Sequence, residues 1–561
     1  MTVKEPCRSC GSSVCDPLEL NVSTRLFLSI LPYHLIEPLR VVATSPPPFH
    51  HSREAKREIL RHWESASVSR IVHLFNNRRS LSVILIVVAA WCVMVGSADA
   101  FGQAADEPGD PATYLSALET YIAQPDPSSK CELLKTTKSP KATIHLLKLT
   151  SQTWRNADEV DRPLWEHWVT IVQPTGTQVD TGFLMVTGGS NKGGPPDKPD
   201  GRILAIAEAT RSVVVELKMV PNQPLVFFND GVERYEDDLI GYCWNKFIET
   251  GDPLWLPRLP MVKSVIKTMD CAQELLASEA GGGFKLTNFV VGGASKRGWT
   301  TWMSGASRDP RIVALVPIVI DVVNVDATMR NHVEVYGFWS EAVNDYVVHK
   351  IMARWDHPRL KNLYQAVDPY YHLDKLTMPK YVLNGAGDQF FTPDSANFYF
   401  KDLKGPKLLR YVPNADHSLR DSDALDGIIA FHWAIVMGKP LPALSWDFTE
   451  DGSIVATSDV KPSSATLWKA TNSKARDFRL ETIGKAWESS PVEANDQGQY
   501  VARVEPPSAG WTAFFIEFRY DLGGPAPLIA STAVRVTPDK KPYAGIIPNT
   551  APAEAQLKAG N

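Results

Sequence analysis

No stretch of this chain restricts its fold as tightly as residues 287–299, TNFVVGGASKRGW. The apolar run up to Val291 suits a buried strand, Gly293 lets the backbone leave it sharply, and Ala294 is too small to crowd the bend. Ser295 then stands alone before a helix-compatible segment. A strand that breaks into a helix through one exposed serine has the pattern of a nucleophile elbow. The backbone N–H of Lys296, in the first turn of that helix, would face a developing oxyanion. The usual spelling is G-x-S-x-G, whereas here Arg297 holds the last glycine position and Gly298 comes one residue late.

Residues that such a serine would need follow it in order. The run 379–388, PKYVLNGAGD, reads as a buried strand whose glycine turn delivers Asp388. A second strand at 408–413 leads into NADH, ending at His417. In this Ser, Asp, His order each residue lies just past a strand's C-terminal end, where open α/β sheets bind ligands. His417 would take the proton from Ser295, and Asp388 would fix its tautomer and stabilise the imidazolium. Asp394 and Asp416 are the substitutes for Asp388. The run 182–194, GFLMVTGGSNKGG, is a strand entering a glycine loop, and places a second oxyanion donor on Gly189 or Ser190. No G-K-[ST] follows those glycines, so they are not a phosphate loop, and no cofactor is expected.

Strands are expected over 143–149, 165–173, 183–187, 212–218, 288–291, 312–320, 381–383 and 408–412. Helices are expected over 202–210, 261–278, 296–305 and 424–437, after a short one near 114–121. This alternation requires a mostly parallel sheet covered on both faces. The fold class is therefore α/β, an α/β-hydrolase core over 106–440, with lid inserts near 233–260 and 325–371 that roof the site. Beyond it, short alternating runs at 453–459, 464–470, 478–483, 500–504, 512–520 and 530–536 point to a small all-β immunoglobulin-like sandwich over 445–540. Thr512, Phe514, Ile516 and Phe518 share one face of a strand. Residues 541–561, rich in Pro and Ala, read as a disordered tail.

The N-terminal part reads differently. Arg78-Arg79, an apolar run from Leu81 to Val95 and the ending Ala98-Asp-Ala100 make a signal peptide over 78–100, cleaved after Ala100. The run is short for a membrane span, so an uncleaved anchor is the second reading and the only membrane association expected. Residues 1–77 show no helix or strand period and are read as a leader from a start assigned too far upstream, with Val72 as a candidate non-AUG start. Cys7, Cys10 and Cys15 lack a second ligand pair for zinc, so no metal site is expected. Past the signal only Cys131, Cys243 and Cys271 remain, which allows one bridge, with Cys243–Cys271 as a candidate. A net charge of −5 and scattered Lys and Arg argue against nucleic acid as a partner.

The segment 233–446 resembles the PhoPQ-activated pathogenicity-related protein family, bacterial secreted proteins with an α/β-hydrolase core. The resemblance rests on DPLWLPRLPMVK (252–263), VGGASKRGW (291–299), NGAGD (384–388) and VPNADH (412–417). It implies that the motif residues fall on Ser295, Asp388 and His417, and that the late glycine belongs to the family's own elbow. Two functions are open: an exported serine hydrolase, periplasmic or secreted, that cleaves an ester or peptide bond in a small molecule or peptide; or a binding or signalling protein that keeps the scaffold without turnover, linked by the resemblance to envelope stress or virulence.

Overall fold

The computed structural model describes residues 109–559. The leader, the signal segment and the cluster of Cys7, Cys10 and Cys15 lie outside the described residues.

Nine strands form one mixed sheet: β1 (Lys130–Lys138), β2 (Ala142–Thr153), β3 (Leu164–Pro174), β4 (Thr181–Val186), β5 (Val214–Leu217), β6 (Asn288–Ala294), β7 (Ile312–Ile318), β8 (Lys380–Gly385) and β9 (Lys407–Val412). Their order is β1-β2-β3-β5-β4-β6-β7-β8-β9. Pairing is antiparallel from β1 to β5 and parallel from β5 to β9. All eight expected strands form. β1 was not among them, because its residues are nearly all exposed and carry no alternation to read. The expected single helix near 114–121 is two, Pro111–Leu115 and Ala117–Ala123, parted at Ser116.

Strand period places successive residues on opposite faces of this sheet. On β6, Phe289 and Val291 join the core under helices Arg258–Ala277 and Lys296–Ala306, while Val290 joins the core under Gly201–Thr210 and Ala424–Val436. Both faces are thus buried, which is why these strands read as continuous apolar runs. The inserts supply the helix Glu236–Thr250 and, after β7, the helices Val325–Tyr336, Asn344–Val348 and Pro358–Val367.

The region after residue 440 contains β10 (Leu444–Phe448), β11 (Ser453–Ser458), β12 (Ser464–Asn472), β13 (Glu488–Pro491), β14 (Tyr500–Arg503), β15 (Trp511–Tyr520), β16 (Leu528–Ser531) and β17 (Arg535–Thr537). They make two antiparallel sheets, β10-β11-β14 and β13-β12-β15-β16, with β17 also on β15. Phe514, Ile516 and Phe518 of β15 face one core, and Ala513 and Phe515 face the other. The β16 side meets the edge of the main sheet, where Tyr411 N–H of β9 donates to Ser531 Oγ at 3.0 Å. An edge group that would otherwise invite another strand is thereby occupied.

Three expectations are corrected. Residues 478–483 are not a strand, because the Asp477 carboxylate accepts from Arg479 N–H at 3.0 Å and from Thr482 Oγ at 3.0 Å and starts the helical turn Leu480–Ile483. Residues 530–536 are two strands, since Thr532 Oγ takes the Ile516 N–H at 3.1 Å and interrupts the ladder. The tail is ordered through residue 559 rather than free: Trp339 Nε1 donates to Pro548 O at 3.2 Å, and Glu554 accepts from Arg479 at 2.8 Å. Buried side chains of the domain meet polar groups that Pro-rich composition gave no reason to pair.

The disulfide is Cys131–Cys271, with Cα atoms 5.9 Å apart, and Cys243 is a buried free thiol. The candidate Cys243–Cys271 pair does not form. The bridge ties the exposed β1 to a core helix and closes 140 residues of chain. Replacing both Cys131 and Cys271 by Ser is expected to lower the unfolding free energy by about 4 kcal/mol, measured by denaturant titration. Non-reducing peptide mapping should recover Cys131 with Cys271 and Cys243 as the free thiol.

Candidate active site

The loops after β4, β6, β8 and β9 meet at the C-terminal edge of the parallel strands. Ser295 sits between β6 and its helix at φ 58°, ψ −123°, a conformation that a non-glycine residue holds only when its surroundings enforce it. Two glycines make room for it here. A Cβ on Gly293 would lie 2.8 Å from Arg297 O, and one on Gly298 would lie 2.7 Å from Ile318 O. Gly298 therefore serves the close helix-to-strand approach that the last motif glycine normally serves, one residue later.

The displaced position is put to use. Arg297 makes a two-pronged ion pair with Glu236 at 2.7 and 2.6 Å, while Lys296 Nζ reaches Asp237 at 2.5 Å. Glu236, Asp237 and Asp238 form the acidic first turn of the roof helix Glu236–Thr250. Asp238 accepts from His349 Nε2 at 2.6 Å, and Asp237 from Tyr346 OH at 3.0 Å, so the second insert is tied to the same turn. The elbow and both roof inserts thus share one charge cluster.

His417 Nδ1 lies 2.7 Å from Asp388 Oδ2, and Asp388 Oδ1 accepts the Phe390 N–H at 2.8 Å. Asp388 is buried, and the His417 ring lies against Phe390 with centroids 4.3 Å apart. His417 Nε2 is buried and makes no hydrogen bond among the described residues. Ser295 and His417 line the same cleft, together with Gly188, Glu216 and Arg420.

The substitute acids are engaged elsewhere. Asp394 is buried against Arg476 at 2.7 Å and Asn331 at 3.3 Å, and Asp416 caps Ser418 N–H at 2.8 Å. Burial would raise the Asp394 carboxyl, yet the charge and hydrogen bond of Arg476 hold it below its ordinary value. Gly189 and Ser190 do not line the cleft; Thr187 and Gly188 do. Gly189 is exposed and its carbonyl accepts from Gln223 at 3.2 Å, so the loop presents its backbone to the cleft at least one residue earlier than expected.

Sequence order gave no sign of the supports beneath the site. Arg476 belongs to the segment after β12, Leu480 N–H donates to Gly387 O at 2.9 Å, and Asn414 exchanges two hydrogen bonds with the Trp487 backbone at 3.0 and 2.9 Å. One segment of the all-β region thus holds both the Asp388 loop and the His417 loop. Asp321, just past β7, is buried between Tyr399 OH at 2.7 Å and Tyr411 OH at 2.5 Å, and burial pushes its carboxyl up to about 7.

A strand, a strained serine and a helix at the C-terminal edge of a mixed sheet is the α/β-hydrolase arrangement. The family model described as PhoPQ-activated pathogenicity-related protein matches residues 118–479. The chain belongs to that family. The match runs on to Arg479 and so takes in Arg476. Autocrine proliferation repressor protein A of Dictyostelium discoideum is 40% identical over 431 residues, covering 72% of this chain and 86% of that protein. Among solved structures, acetyl xylan esterase 1 from Thermoanaerobacterium sp. is similar with TM-score 0.40 and 13% identity, over 59% of this chain and 94% of that one. Glucuronoyl esterase from Solibacter usitatus gives TM-score 0.35 and 13% identity, over 58% and 91%.

The charge cluster sets a pH dependence. Burial would raise the Glu236 carboxyl, but the hydrogen bonds and charge of Arg297, with Lys296, outweigh it and hold the group at about 2. The folded state therefore favours the ionised form, so this contribution is complete above the ordinary value of 4.5 and is lost as pH falls toward 2. In thermal melts, Glu236→Gln is expected to be less stable than the parent at neutral pH. The gap should close as pH drops through that window.

Proposed function

We propose that the protein is a serine hydrolase of the exported type that cleaves an ester or peptide bond through an acyl-enzyme. The observation that carries this reading is the His417–Asp388 pair, with Nε2 unpartnered, in one cleft with a serine held at positive φ. In the proposed reaction Ser295 Oγ bonds to the substrate carbonyl carbon while its proton passes to His417 Nε2. Asp388 accepts the Nδ1–H bond and stabilises the imidazolium. The tetrahedral oxyanion is met by the Lys296 N–H and by a donor from the Gly188 loop. The C–O or C–N bond then breaks, and the leaving group takes the proton from His417. Water, deprotonated by the same imidazole, releases the acid and restores Ser295.

Export is supported by the Arg78-Arg79 signal pattern and by the Cys131–Cys271 disulfide, a bond that persists in oxidising compartments. Mass spectrometry of protein from the native host should find Phe101 as the first residue. A mature N-terminus at Met1 would refute the signal reading.

Ser295→Ala is expected to lower turnover of acyl esters by about four orders of magnitude or more with the fold intact. Asp388→Asn should cost on the order of ten-thousandfold, because the imidazole loses its tautomer. Asp394→Asn should chiefly cost stability, about 3 kcal/mol, by leaving Arg476 buried and unpaired. Undiminished turnover in folded Ser295→Ala rejects Ser295 as nucleophile. A crippling Asp394→Asn beside a silent Asp388→Asn reassigns the acid.

The name of the Dictyostelium relative favours a second reading, an extracellular signalling protein on this scaffold. Signalling by a Ser295→Ala protein at parental strength would separate that role from hydrolysis.

A further inference from the structure

Ser295 lies on the boundary of two unlike spaces. On one side is the cleft that it shares with His417, which also carries Asp200, Glu216 and Arg420. On the other is a cavity roofed by both inserts and lined almost wholly by apolar groups, among them Trp244, Trp299, Met329, Val343, Trp355 and Phe390. All of these except Phe390 are buried, and Phe390 also carries the face of the His417 ring. The cavity therefore begins at Ser295.

Its charged groups cancel one another. Asp237 takes Lys296 Nζ at 2.5 Å on one oxygen and Tyr346 OH at 3.0 Å on the other, so neither the carboxylate nor the ammonium is left to bind a charged ligand. A charged or strongly hydrated group placed there would lose its water with no compensating partner, whereas an apolar group would lose only unfavourable contact with water. The cleft beside His417 differs in carrying charged groups, Asp200, Glu216 and Arg420, within a largely apolar lining. Arg420, exposed on the loop after His417, forms no ion pair among those seen in the described residues.

We propose that this cavity is the acyl pocket: the substrate is an ester of an uncharged apolar acid, whose alcohol half leaves through the cleft beside His417. The assignment rests on the serine hydrolase reading above. It deepens that reading by stating which half of the substrate is apolar.

The test uses the full-length mature protein with p-nitrophenyl acetate, butyrate, hexanoate and phenylacetate, and with the p-nitrophenyl monoester of succinic acid. Between acetate and hexanoate, kcat/KM is expected to rise about threefold to fourfold per added methylene. Phenylacetate should be turned over at least as well as butyrate, and the charged succinyl ester should be the poorest. Filling the cavity, with Met329→Trp or independently Val343→Phe, should move the optimum toward shorter acids and lower the hexanoate-to-acetate ratio about tenfold. A flat profile, or one led by acetate or succinate, with turnover still abolished by Ser295→Ala, overturns the acyl pocket and leaves the hydrolase reading standing. Absence of Ser295-dependent turnover on every ester overturns the hydrolase reading, and the pocket with it.

Discussion

The site depends on one backbone constraint: residue 295 must hold φ 58° at the junction of a strand and a helix. Such a conformation costs on the order of 1–3 kcal/mol and persists only where the surroundings over-determine it. Here the surroundings are glycines whose missing side chains let the Lys296–Ala306 helix come within contact of β6 and β7. A side chain at Gly293 or Gly298 would collide with backbone, which cannot yield.

Around that junction the charges are organised outward from the elbow. Lys296 and Arg297, which follow the serine directly, are neutralised by the first turn of the roof helix, and the second insert reaches the same turn through Tyr346 and His349. Because both side chains are nearly buried, each depends on its partner to offset lost hydration. The roof is therefore fixed to the element that carries Ser295, and the apolar cavity under it keeps its position relative to that residue. On the opposite side the all-β region reaches in with residues 476–487 to hold the Asp388 and His417 loops. The elbow with its roof and the Asp388–His417 pair are thus steadied by different parts of the chain.

Much of this was legible in the residues alone. The parallel strands β4 to β9 announced themselves because strands buried on both faces must be apolar throughout, and the elbow because only small residues fit its turn. Asp388 and His417 were legible from chain order, and the structure pairs them at 2.7 Å. The misses have physical causes. β1 is exposed and lacks alternation, and Cys131 lies on it, so the bridge to Cys271 had no signal. Asp477 turns an alternating run into a helical turn by side-chain hydrogen bonds, a local effect that hydrophobic period does not register. Arg476, Trp487 and Glu554 act across separations of more than seventy residues, and nothing in spacing reveals such pairings. The glycine loop after β4 is legible, but not which of its residues faces the cleft, because Met219 N–H, in the bend just past β5, binds Gly188 O and sets the turn.

The central claim is that Ser295 is an activated nucleophile rather than a serine in a glycine turn. Reaction of the purified protein with a fluorophosphonate probe, read by intact mass and peptide mapping, tests it most directly, since only a serine backed by a base reacts quickly. The account predicts a single rapid adduct on Ser295 that is lost in the Ser295→Ala variant and strongly slowed in Asp388→Asn. A folded protein that takes up no probe, or takes it up at another residue, would contradict it.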